Sequence, residues 1–130
     1  MTQSSIRKHI SQMSLEEVDF FTSLVKRKSW IMSGHVRQQM EKRGGTLSDI
    51  IEAIEYGSLI EYHCRNGHSR LLFRSETPIH NWVPCVVVEI ASERIITIFW
   101  NHVKDNHRTI DMSRYDEDLD IIAMFEEEEE

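Results

Sequence analysis

The chain predicts an α+β domain, with helices packed on one face of an antiparallel sheet of about four strands. Two observations carry this. Three helical stretches, the first and third with a capping residue and helical apolar spacing, occupy residues 14–56, and four strand-like runs follow between residues 59 and 100. Helices first and strands afterwards, joined by tight turns, is the order of an α+β domain rather than of alternating βαβ units.

Ser14-Leu15-Glu16-Glu17 is a capping box, in which the Ser14 hydroxyl accepts from the Glu17 amide and the Glu17 carboxylate reaches back. Leu15, Val18, Phe21, Leu24 and Val25 then recur at helical spacing, and Lys26-Arg27-Lys28 closes the stretch where cations suit the helix dipole. An amphipathic helix over residues 14–28 follows. Lying on the core is the ordinary use of such a stripe; docking a partner or a second copy is the alternative. A second helix runs from about Ser33 to Lys42 and ends at Gly44-Gly45. Thr46 caps a third, with Asp49 in its first turn, Leu47, Ile50, Ile51 and Ile54 on its apolar face, and Gly57 as its stop.

Residues 59–64 alternate, with Ile60, Tyr62 and Cys64 on one face and Glu61 and His63 on the other. Asn66-Gly67 is a hairpin turn, so Arg70–Arg74 returns antiparallel. Pro78 and Pro84 bracket an irregular connection before two more β-branched runs, 83–90 and 94–100. Beyond Asn101 the pattern fades. Ile110, Met112, Tyr115, Leu119, Ile121, Ile122 and Phe125 are enough for an edge strand or a short helix, and the block Glu126 to Glu130 predicts disorder.

These readings divide the chain into an N-terminal amphipathic helical extension (1–30), an α+β core (31–103) and an acidic C-terminal tail (104–130), disordered at its end. The net charge of −7 belongs to the tail, which alone carries −8. A near-neutral core argues against strong non-specific nucleic-acid binding and leaves room for a local basic site. No apolar run approaches the roughly 20 residues of a membrane span, and residues 1–12 lack the apolar centre of a signal peptide, so a cytoplasmic protein is expected, with no membrane partner. Cys64 and Cys85 fall in separate strands without C-x-x-C spacing and read as buried thiols. A zinc set drawn from Cys64, His68, His80, Cys85 and His102 lacks the second tight pair that structural zinc sites use, so no metal is expected. No phosphate-binding loop, dinucleotide fingerprint or nucleophile elbow occurs, and no cofactor is expected.

The segments His35-x-Arg37, Met40-x-x-Arg43-Gly44, Asp49-Ile50-Ile51-Glu52-Ala53-Ile54, Gly57, Ile60-Glu61 and Ile96-Thr97-Ile98-Phe99 cover about half the chain. In that order they resemble an uncharacterised family of small proteins grouped with RelE/ParE-like toxins, within the barnase–EndoU–colicin–RelE superfamily. The resemblance implies a RelE-like core and ancestral RNA cleavage. The chain departs from it in lacking a basic domain and in having long flanking segments. Metal-free RNA cleavage needs a base for the 2′-hydroxyl, an acid for the leaving oxygen and donors for the phosphorane. On that logic His35 is the acid or base, Arg37 or Arg43 clamps the phosphate, and Thr97 donates to a non-bridging oxygen, so that these four form the expected catalytic set. Arg74, Trp100 and His102, with His107 and Arg108 nearby, are the expected RNA contacts, Trp100 by stacking a base. For each an ordinary use competes: local packing for His35, surface ion pairs for Arg37 and Arg43, β-propensity for Thr97, and closure of the core for Trp100.

The expected function is a RelE-like toxin or effector, an endoribonuclease acting on RNA, ribosome-bound messenger included, and restrained by an antitoxin or by its own tail. The alternative is a catalytically silent RelE-like module that docks a partner protein through its acidic surface. A homodimer through the N-terminal helix is compatible with either.

Overall fold

A computed structural model of the chain describes residues 5–105 and 115–129. The elements in chain order are β1 (Ser5–His9), a 3-10 turn (Ile10–Gln12), α1 (Leu15–Lys26), β2 (Ile31–Met32), α2 (Gly34–Lys42), α3 (Leu47–Tyr56), β3 (Ser58–Arg65), β4 (His68–Arg74), β5 (Trp82–Glu89), β6 (Arg94–His102) and α4 (Ile121–Glu129). Among the described residues the architecture is α+β, with four helices and one open mixed sheet of six strands in the order β1-β3-β4-β5-β6-β2. The expected four-stranded meander β3 to β6 is its centre. The count grows because β1 adds antiparallel to β3 at one edge and the two-residue β2 adds parallel to β6 at the other.

The helices form where their caps place them. Ser14 and Thr46 each make both bonds of a capping box, and Ser33 accepts from the Val36 amide. Gly44 ends α2 in the left-handed conformation, φ 76°. Gly57 is glycine for a different reason. Its φ of −80° suits any residue, but a Cβ there would land on the carbonyl oxygens of Ala53 and Arg74. Gly57→Ala is therefore expected to lower stability by about 1–3 kcal/mol, read as a drop in the urea midpoint at unchanged slope.

All four helices pack on one sheet face. Phe21 and Val25 of α1, Val36 and Met40 of α2, Ile50 and Ile54 of α3, and Ile121 and Phe125 of α4 join Tyr62, Leu71, Phe73, Val86, Val88 and Ile98 in one core. The stripe of α1 thus lies on the core. Among the described residues the other face carries a smaller cluster, Ile60, Leu72 and Cys85 with Val87 and Phe99. Ile60 was expected to share a face with Tyr62. A β-bulge between Leu59 and Glu61 turns it outward, while Tyr62 and Cys64 stay on the helix side. Both cysteines are buried free thiols, and they stand on opposite faces.

The C-terminal segment differs from its expectation too. The run Glu126 to Glu129 is helical in α4, held by buried Ile121 and Phe125 and by the Glu128 carboxylate, which accepts the Ser69 amide at 3.0 and 3.1 Å. His107, Arg108, Ile110 and Met112 lie outside the described residues. Among the described residues no helix is long and apolar enough to cross a membrane.

Candidate functional site

The outer sheet face carries a row of charged side chains set by strand register. Arg7 of β1 pairs with His63 of β3, His63 with Arg70 of β4, and Arg70 with Glu89 of β5. One step along the strands the next outward row is His9, Glu61, Leu72, Val87 and Thr97. Residues two apart in a strand share a face, so both rows point the same way. Within these rows a concavity of about 400 Å³ has Arg7, Glu61, His63 and Arg70 at one end and Leu72, Val87 and Phe99 at the other.

The polar end is cross-linked. Arg7 Nη1 lies 3.3 Å from Glu61 Oε2, and the Tyr115 hydroxyl donates to Glu61 Oε1 at 3.0 Å. Arg70 Nε lies 3.3 Å from Glu89 Oε2. Burial first, then the charges of Arg7, Arg70 and Arg65, hold His63 down to about 4, so the ring is neutral at pH 7. Burial, with the charge of Glu61 and the hydrogen bond to it, pushes the Tyr115 phenol above its ordinary value. A half-buried neutral imidazole among arginines is an acceptor site where an anion would be drawn in.

The sequence-expected residues fall in several places. Thr97 lies on this outer face. His35 and Arg43 are exposed on α2 and share a shallow concavity with Gln38, Gln39 and Lys42, all from that one helix. Arg37 lines a different cleft, between α1 and α3. Because α2 packs on the inner face through Val36 and Met40, the sheet stands between His35 and Thr97. The expected set His35, Arg37, Arg43 and Thr97 is therefore not brought together around one reacting phosphate.

The expected RNA contacts are also dispersed. Arg74 donates through Nη2 to the carbonyls of His102 and Val103 at 3.3 and 3.4 Å, fastening the end of β6. Trp100 packs on the inner core beneath the Gly44-Gly45 turn, where a Cβ on Gly45 would sit 2.6 Å from its ring. His102 meets Trp82 edge-on at 5.4 Å and accepts the Lys104 amide.

Sequence reasoning missed Arg7, Glu61, His63 and Arg70 as a group, although a signal was present. A two-residue turn at Asn66-Gly67 fixes His63 opposite Arg70 by counting, and alternation turns both outward.

Neither the curated proteins nor the solved structures contain a match to this chain. The family described as "Domain of unknown function (DUF4258)" is matched over residues 32–100, from β2 to the end of the Trp100 stretch of β6. That is more than half of the chain, which belongs to the DUF4258 family.

Proposed function

We propose that the chain is a metal-independent endoribonuclease, a RelE-like toxin or effector of the cytoplasm, working on its outer sheet face. The observation that supports this reading is the row Arg7, His63, Arg70 beside Glu61 on an open sheet. Neighbouring strands lie about 4.8 Å apart, so a phosphate over His63 is within reach of both flanking guanidiniums. His63 takes the 2′-hydroxyl proton as the 2′-oxygen attacks phosphorus. Arg7 and Arg70 bear the phosphorane charge. The Tyr115 hydroxyl gives its proton to the departing 5′-oxygen, and solvent returns protons to their starting places. The products are a 2′,3′-cyclic phosphate and a 5′-hydroxyl.

Thr97 stands two strands beyond Arg70 and one row along, about 12 Å at those spacings, too far to share the reacting phosphate. It serves the adjoining nucleotide, whose base stacks on Phe99 above Leu72 and Val87. A local basic row within an acidic chain binds RNA weakly and with a shallow salt dependence, because it neutralises few phosphates.

The test is incubation of purified protein with a labelled single-stranded RNA in EDTA, beside DNA of the same sequence. RNA fragments ending in cyclic phosphate, with DNA intact, are expected. No cleavage at any salt concentration, or equal cleavage of DNA, overturns the reading. RNA left intact while a partner protein is retained through the exposed Glu126 and Glu127 would instead favour the silent docking module.

A further inference from the structure

On the helix side, away from the sheet row, a cleft of about 360 Å³ opens between the C-terminal end of α1, β2, the first turn of α2 and α3. Trp30, Met32, Ile50 and Ile54 form its walls. Leu47 and Ile51 stand at its mouth, 50% and 44% exposed, although both belong to the apolar stripe of α3. Three cations, Lys26, Lys28 and Arg37, line it against one acid, Glu55. Lys28 reaches Glu93 at 3.9 Å, while among the described residues Lys26 and Arg37 make no ion pair.

These features select a ligand class. Apolar walls drawn from α3, β2 and the segment just before β2 reject a fully polar molecule, since its polar groups would lose water without replacement. Cations at the lip reject an organic cation and favour an anionic head. The volume is that of a small-molecule cleft, about 300–1,000 Å³. We infer that this cleft binds a single-chain organic anion, its aliphatic or aromatic body between Trp30 and Ile54 and its carboxylate on Arg37 and Lys26. The inference is independent of whether the outer face cleaves RNA, because the two sites lie on opposite sides of the sheet.

The test is a titration with monomeric dodecanoate, followed by calorimetry and by tryptophan fluorescence, which Trp30 makes sensitive to occupancy. Saturable binding of one dodecanoate per chain is expected, about tenfold or more tighter than 1-dodecanol or dodecyltrimethylammonium, the worth of a charge-assisted hydrogen bond. Arg37→Gln should remove the preference for the anion while leaving dodecanol binding in place. Ile51→Glu, at an exposed position, should abolish binding of all three with an unchanged circular-dichroism spectrum; if that variant does not fold, Leu47→Glu at the same mouth replaces it. Equal affinity for the three head groups, no saturation, or dodecanoate binding unchanged in Arg37→Gln and the mouth variant overturns the inference. So does an acidic amphipathic peptide that binds this cleft when dodecanoate does not.

Discussion

On the proposed reaction, His63→Ala is expected to lower the rate of RNA cleavage by about 10²–10⁴-fold, the usual worth of a positioned proton-transfer group. His35→Ala is expected to leave the rate within a factor of about two, because among the described residues no group from another element shares the concavity that His35 lines. The pH profile separates a base from a merely structural histidine. The base works when neutral, and His63 is held at about 4 by burial and by Arg7, Arg70 and Arg65. The acid limb of kcat/KM therefore lies near pH 4 rather than near the 6.5 of a free imidazole. Bound phosphate offsets the arginines, so the limb of kcat lies above that of kcat/KM. Arg70→Gln removes one of the charges that depress His63, and the kcat/KM limb moves upward. A limb that stays in place in that variant, or an active His63→Ala enzyme, removes His63 from the role.

The same histidine carries a stability signature of definite sign. Its folded value lies below its unfolded one, so the fold favours the neutral ring. Its contribution is fully present above about pH 6.5, is lost as pH falls from there towards 4, and is flat below.

The elements that organise themselves locally were legible in the sequence. Ser14, Ser33 and Thr46 start helices with bonds made inside four residues, and Asn66 and Gly67, at φ 52° and 80°, close a hairpin that needs nothing from the rest of the chain. Elements created by distant partners were not. Ser5–His9 holds one apolar residue, Ile6, and becomes a strand because β3 offers a free edge. Ile31–Met32 is too short to signal itself and is defined by β6. The glutamates of α4 read as a repelling block until Ile121 and Phe125 are anchored. The site inherits this division. Glu61, His63 and Arg70 belong to the readable hairpin, whereas Arg7 comes from the unreadable edge strand, so the row was complete only once β1 was paired. His35 stood out because a histidine with two arginines on or just after one short helix is conspicuous in one dimension, and sequence proximity does not show which side of a sheet a helix covers.

Glu17→Ala is expected to cost about 3–5 kcal/mol, a large part of the roughly 5–15 kcal/mol that holds a domain folded. Lys8 and Glu17 are buried, 5% and 7% exposed, and Lys8 Nζ donates to both Glu17 carboxylate oxygens at 2.8 and 3.0 Å and to the Leu119 carbonyl at 2.8 Å. Removing the carboxylate strands a buried ammonium, which is why the single change costs more than the pair itself is worth. Replacing both partners, Lys8→Met with Glu17→Leu, should recover most of the loss, because it removes the desolvation of both ions along with their attraction. Chemical denaturation of the three variants checks this, and a double variant no more stable than Glu17→Ala would refute it. The pair also has an acid limit. Burial alone would raise the Glu17 carboxyl, but the hydrogen bond from Lys8, the Ser14 amide and the Lys8 charge outweigh it and hold the group below its ordinary 4.5. Its stabilisation is thus present above about pH 4.5 and lost as pH falls through the lower folded value. The consequence reaches the outer face through alternation along β1. Lys8 points to the helix side and locks β1 against α1 and the Leu119 segment, while its neighbour Arg7 points to the other side beside His63. Loosening the inner pair frees the edge strand that carries Arg7. Glu17→Ala should therefore lose RNA cleavage at a lower temperature than it loses the tryptophan signal of the central sheet, and the double variant should restore both together.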